Sequence, residues 1–238
     1  MAPLVFIEQS ATQWVVWKPA GLASELPRGH DAESVLTLVA AQLPDATPKL
    51  PHRLDRVTCG ILLVCLTAEA IAFHNAQIKA RRWEKHYLAE VVAKPASAPG
   101  SLIGQHRAFL SETSTRAKVV RSGGKPAWLE IVAAAPTPAR ADRWHLLIRL
   151  MTGRFHQIRV MCEALGVPLP GDPLYDPAGH DASQFYLEHV VLKYEHFDTR
   201  DRATVYVPGV EGRPRLAPSM QRALDEIVVA PARFEVSA

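Results

Sequence analysis

The feature that most constrains this chain is Gly60 followed by Ile61-Leu62-Leu63-Val64-Cys65-Leu66. Six unbroken apolar residues after a glycine predict a strand buried on both faces. The residues just before it, His52-Arg53-Leu54-Asp55-Arg56-Val57-Thr58-Cys59, are mostly polar and predict a loop at the mouth of that sheet. A carboxylate, Asp55, is thereby held on a loop anchored by a rigid strand, with Arg53 and Arg56 close in sequence. Nearby positive charge keeps a carboxylate ionised. From these residues alone Asp55 reads either as a reactive acid or as a surface salt-bridge partner.

Period and punctuation give the other elements. Residues 4–7 and 14–17 predict short strands, and Lys18-Pro19-Ala20-Gly21-Leu22 comes directly after the second. Pro19 and Gly21 make a turn there, and Lys18 reads as part of it or as a phosphate contact. A helix is predicted from about Ala32 to Leu43 with Asp31 as its cap. Thr67 is expected to cap a second helix running to about Arg82, with Ala70, Ile71, Ala76 and Ile78 for packing. A strand begins at Lys85-His86-Tyr87, where Tyr87 reads first as a half-buried strand aromatic.

Residues 94–125 are the least regular part. Six basic residues stand there against one acid, Glu112. Such a segment is either a basic excursion that touches a phosphate backbone or a solvated hairpin. Residues 144–150 predict a strand running into Met151-Thr152-Gly153-Arg154-Phe155-His156-Gln157-Ile158-Arg159. A helix then runs to about Leu165, with Ile158, Met161, Cys162 and Leu165 facing the core and Gly166 ending it. That spacing leaves Arg159 off the apolar face. Strands near 190–197 and 203–207 and a last helix from Pro218 to about Val228 complete the chain, whose final ten residues look frayed.

Two motifs resemble the RluA-type pseudouridine synthases. His52-Arg53-Leu54-Asp55-Arg56-x-Thr58-x-Gly60 is similar to that family's signature, with Cys59 where Ser is usual. Gly153-Arg154-Phe155-His156-Gln157-Ile158-Arg159 is similar to a second motif, with Phe155 where Thr is usual. Lys18-Pro-x-Gly-Leu, Lys85-x-Tyr87 and Pro168-x-x-Gly171-Asp172-x-x-Tyr175 add to the resemblance, which covers roughly residues 14–208. Trp17 stands where the family commonly has Asn.

The resemblance implies an α+β fold with a mixed, largely antiparallel central sheet, flanking helices and a central cleft. It implies one catalytic domain over residues 1–238, with no separate N-terminal RNA-binding domain. It assigns Asp55 as the catalytic residue, Tyr87 as the face against which the target base stacks, and Arg159 as the partner of Asp55. Such a pair would hold the acid ionised and fix its rotamer. Arg53 and His52 flank the acid and are expected either to enter the gap left by a flipped base or to brace the loop. Arg116, Lys118 and Arg121 are expected to contact the RNA backbone, since family members carry RNA-contacting loops there.

The implied reaction turns a uridine of structured ribosomal or transfer RNA into pseudouridine, and calls for no cofactor and no metal. The alternative is a non-catalytic RNA-binding protein on the same fold. Other chemistries fit less well. A paired-carboxylate glycosidase would need a second acid, for which Asp172 in Gly-Asp-Pro reads equally as a turn. His52, His156 and Asp55 lack any short-spaced metal-ligand pair. There is no phosphate-cradling Gly loop and no Gly-x-Ser-x-Gly elbow.

Composition sets the remaining bounds. At 238 residues and 48% hydrophobic content the chain can bury a sizeable core. No apolar run is long enough to span a membrane and the N-terminus does not read as a secretory signal. A net charge of +3 means that basic residues serve RNA only where locally grouped. Three cysteines without zinc-like spacing predict a reducing cytoplasm. A monomer is expected.

Overall fold

A computed structural model of the chain describes residues 4–26, 32–92, 99–176 and 181–231. Among these residues the strands are β1 (Val5–Gln9), β2 (Gln13–Lys18), β3 (Cys59–Cys65), β4 (Glu84–Val92), β5 (Gly104–Glu112), β6 (Ala117–Val120), β7 (Lys125–Pro136), β8 (Arg143–Leu150), β9 (Leu187–Glu195) and β10 (Arg202–Tyr206). The helices are α1 (Val35–Gln42), α2 (Ala68–Lys79), α3 (Gln157–Ala164) and α4 (Pro218–Val229). The chain divides into two compact units. Among the described residues, those within 1–84 and 188–206 form the first, and those within 85–187 and 207–231 the second.

The first unit is built on β3. Its strands run β1, β2, β3, β9, β10, antiparallel except that β9 lies parallel to β3 through Cys59–Glu188 and Gly60–His189. Ile61 through Cys65 are fully buried, as the apolar run requires. Gly60 sits at φ 120°, and a Cβ there would meet the His189 carbonyl oxygen at 2.5 Å. Only glycine tolerates both the angle and the approach. One face packs Val15, Ile61, Leu63 and Cys65 against Ala70, Trp83, Leu192 and Tyr194. Each large side chain so buried is worth roughly 1.5–3 kcal/mol. Thr67 caps α2 as expected by accepting the Ala70 N–H at 3.1 Å. Asp31, the expected cap of α1, lies outside the described residues. Ser34 caps that helix instead, in a reciprocal box with Thr37.

The second unit has an antiparallel sheet in the order β4, β8, β7, β5, β6. Its β5–β6 hairpin occupies much of the stretch that reads as least regular in sequence. The hairpin was one of the two readings of that stretch, and the alternating burial along β5 explains its irregular look: one face is wet, so polar and basic residues interrupt the apolar ones. α4 packs on β7 and β8 through Met220 and Leu224, with Pro218 in its first turn. The fold is α+β with a mixed sheet content and flanking helices.

Candidate active site

The loop that carries Asp55 is fixed from both sides. Leu54 is buried, and Ser24 holds it by a reciprocal pair: Ser24 Oγ donates to the Leu54 carbonyl at 2.7 Å and accepts the Leu54 N–H at 3.0 Å. One residue beyond the acid, Arg56 repeats the device. Its carbonyl accepts the Gly21 N–H at 2.7 Å, and its Nε donates to the Gly21 carbonyl at 2.8 Å. Thr58 N–H closes a turn onto the Asp55 carbonyl at 3.0 Å. Asp55 itself is half-buried. The turn at 18–24 is therefore the floor of the acid's loop.

Lys18 lies inside that floor, fully buried. Its ammonium donates to the carbonyls of Pro19 at 2.9 Å, Leu22 at 2.8 Å and Arg56 at 3.3 Å. All three protons are thereby used, and the phosphate-contact reading of Lys18 gives way to a structural one. Burial pulls its pKa down to about 8, while the charges of Cys59 and Asp55 oppose the shift and Arg56 adds to it. In the first unit Lys18 is thus a cation felt by Asp55.

Two further residues of the first motif have settled places. His52 turns into the unit: its Nε2 accepts the Leu63 N–H at 3.0 Å, and its ring meets Trp83 and His189 edge-on. That is the loop-bracing role. Arg53 is exposed and pairs with Glu25 at 2.7 Å.

Tyr87 and Arg159 belong to the second unit. Tyr87 sits on β4 opposite Ile148 and is buried rather than half-buried. Arg159 is buried too. Its Nε and Nη2 donate to Asp172 at 2.7 and 2.8 Å, a bidentate pair. Asp172 also accepts the N–H groups of Leu174 and Tyr175. The turn that presents it needs Gly171, at φ 69°, where a Cβ would fall 2.2 Å from the Asp181 carbonyl oxygen. Asp172 is therefore neither an idle turn residue nor a spare acid: its oxygens hold Arg159.

The segment leading into α3 is tied to β7. Gln157 donates to the Trp128 carbonyl and accepts from Thr152 Oγ1 and the Arg154 N–H. His156 adopts a left-handed backbone at φ 53° and its Nδ1 meets Tyr175 Oη at 3.1 Å. Tyr175 Oη in turn accepts the Ala117 N–H and donates to the Ala117 carbonyl. Of the expected backbone contacts, Lys118 and Arg121 are exposed, whereas Arg116 rests its guanidinium over the Tyr175 ring at 5.1 Å.

Sequence reasoning missed two residues here, Asp172 as the clamp of Arg159 and Lys18 as a buried cation. For Asp172 the signal was present in Gly171-Asp172-x-x-Tyr175, but the partner lies 13 residues earlier and only the fold joins them.

Comparison with known proteins adds an independent observation. The profile of the RNA pseudouridylate synthase family matches residues 13–164. The dual-specificity RNA pseudouridine synthase RluA of Escherichia coli (strain K12) is 35% identical over 176 residues, covering 72% of this chain and 77% of that protein. An uncharacterized RNA pseudouridine synthase of Haemophilus influenzae is 28% identical over 171 residues, 72% of this chain and 74% of that protein. Among solved structures, human RNA Pseudouridylate Synthase Domain Containing 1 matches with a TM-score of 0.71 and 22% identity, over 98% of this chain and 100% of that one.

Proposed function

The chain belongs to the RNA pseudouridylate synthase family, in its RluA-type branch, and from that premise we propose that it isomerises a uridine of structured ribosomal or transfer RNA with Asp55 as its catalytic carboxylate. In this reaction the bond between N1 and the ribose C1′ breaks, the base turns, and C5 joins C1′. The proton on C5 leaves to solvent and the freed N1 takes one up, so the atoms balance without any second substrate. Asp55 must be ionised for any route in which it acts as nucleophile or base. Tyr87 offers the aromatic face for the base, as the resemblance assigns, and Arg159 serves as a substrate-binding cation. Arg53 serves at the rim of the acid's loop. The protein acts as a monomer in the reducing cytoplasm. None of its three cysteines forms a disulfide, and burial pushes the thiols of Cys65 and Cys162 up to about 12. No helix among the described residues is long and apolar enough to cross a membrane.

The observation that supports Asp55 most is the loop's anchorage at Leu54 and Arg56, on either side of the acid. A carboxylate held this way keeps its position while a base is brought to it, which is what orientation requires.

Tritium release from C5-labelled uridine in bulk cellular RNA tests the reading. The wild type should release tritium. Asp55→Asn should release none while binding RNA within about twofold of the wild type. Binding without release by the wild type would point to the RNA-binding alternative.

A further inference from the structure

Phe155 is a large aromatic left 38% exposed, on the segment that leads into α3. Its ring lies on the imidazole of His156, centroids 3.7 Å apart and planes within 24°. The stack does not float. His156 is fixed by Tyr175 Oη, and Tyr175 by the backbone of Ala117 on β6. The left-handed backbone at His156 is what turns the two rings onto each other at the helix start. Phe155 thus has one face covered by a braced ring, and part of its surface open to water.

The surroundings are cationic. The Arg116 guanidinium lies over Tyr175, whose hydroxyl holds the imidazole. Arg154 is fixed by its Nε to the Pro126 carbonyl at 3.0 Å. The Lys85 amine stands 3.5 Å from where a side chain on Gly153 would begin, and burial lowers its pKa to about 8. Glu112, the nearby acid, is engaged by Lys125. A rigid, half-open aromatic among positive side chains suits a nucleobase with its phosphates more than an apolar peptide.

We propose that the Phe155–His156 stack is a platform for an unpaired nucleobase of the bound RNA, so that Phe155 selects RNA in which a base other than the target uridine can leave its own stack. The proposal rests on the isomerase reading for the identity of the RNA. It adds a second base-binding position, distinct from the one assigned to Tyr87. Because the platform is already braced, little side-chain freedom is lost when the base arrives.

The test compares wild type with Phe155→Leu and Phe155→Trp. Filter binding to bulk cellular RNA gives the affinity. An RNA stem-loop with 2-aminopurine on either side of a loop uridine reports stacking by fluorescence quenching. Phe155→Leu should bind bulk RNA about tenfold more weakly and lose the quenching, with its thermal melt unchanged. Phe155→Trp should keep both, and would carry the comparison were the leucine variant poorly folded. Equal affinity and equal quenching in wild type and Phe155→Leu would overturn the platform. Tritium release in the same preparations separates the two ideas. Release with no effect of the leucine change leaves the isomerase and removes the platform. Weakened binding in the variant without release by the wild type leaves the platform and removes the isomerase.

Discussion

Arg159 and Asp172 face each other in the second unit with both side chains buried, Nε to Oδ2 at 2.7 Å and Nη2 to Oδ1 at 2.8 Å. The carboxylate is further satisfied by two backbone N–H groups. A buried guanidinium is costly unless its partner and geometry are both in place. The pair therefore ties the position of a proposed substrate-binding cation to the integrity of the turn at 171–176.

Asp172→Ala should destabilise the protein by about 3–5 kcal/mol, because it strands a charge rather than merely removing a contact. Replacing both members, Arg159→Met with Asp172→Leu, should recover most of that loss and none of the turnover. Thermal melts and tritium release measure the two effects. A single Asp172→Ala variant that melts like the wild type would show that the guanidinium finds compensation elsewhere.

Gly60→Ala should be among the most damaging small substitutions in the first unit. The added methyl would lie 2.5 Å from the His189 carbonyl oxygen, on a backbone at φ 120°. Strain of this kind costs on the order of 3 kcal/mol or more. A melt within a degree of the wild type would mean that β3 and β9 separate easily.

Charge removal by Lys118→Gln with Arg121→Gln should weaken RNA binding and flatten its salt dependence. Two lost phosphate contacts should reduce the slope of log affinity against log salt by roughly 1.5. Arg116→Gln should behave differently. It removes a guanidinium that rests on Tyr175 and has a buried Nε, so it should lower the melting temperature as well. An unchanged slope in the double variant would remove the hairpin from the RNA interface.

His74 gives a pH dependence of stability. It is buried, its Nε2 is bonded to Gln13 Oε1 at 2.8 Å, and rings of Phe73, Trp83 and Tyr194 surround it. Burial above all, then the charges of His196 and Arg200, lower its pKa from 6.5 to about 4, with Asp198 opposing. The folded protein therefore keeps His74 neutral where the unfolded chain binds a proton. Stability from this group is fully present above the unfolded value. It is lost as pH falls from about 6.5 toward 4, by about 3 kcal/mol. His74→Asn cannot titrate, so the stability gap between it and the wild type should narrow over that window in urea titrations. A constant gap would contradict the assignment.

The sequence made the acid's loop legible because the signal there is local. Gly60 and the six apolar residues after it define β3, and the polar residues before it have no choice but to be loop. α2 was equally readable from its cap at Thr67. What was not readable depends on residues distant in sequence. The Arg159–Asp172 pair was not readable because helical spacing reports one element's face, not the acid 13 positions later that holds it. The burial of Lys18 was not readable because its acceptors are carbonyls, which any residue supplies. The β5–β6 hairpin stood only as one of two readings because a strand wet on one face carries as many polar as apolar residues.

Leu54 and Arg56 share their hydrogen bonds with Ser24 and Gly21, and Lys18 closes the same knot from below. Residues 18–24 and 52–58 are in effect one part, although 27 residues separate them in the chain. Transplanting the second segment alone into another scaffold would deliver its carboxylate to the wrong place. The first would have to travel with it.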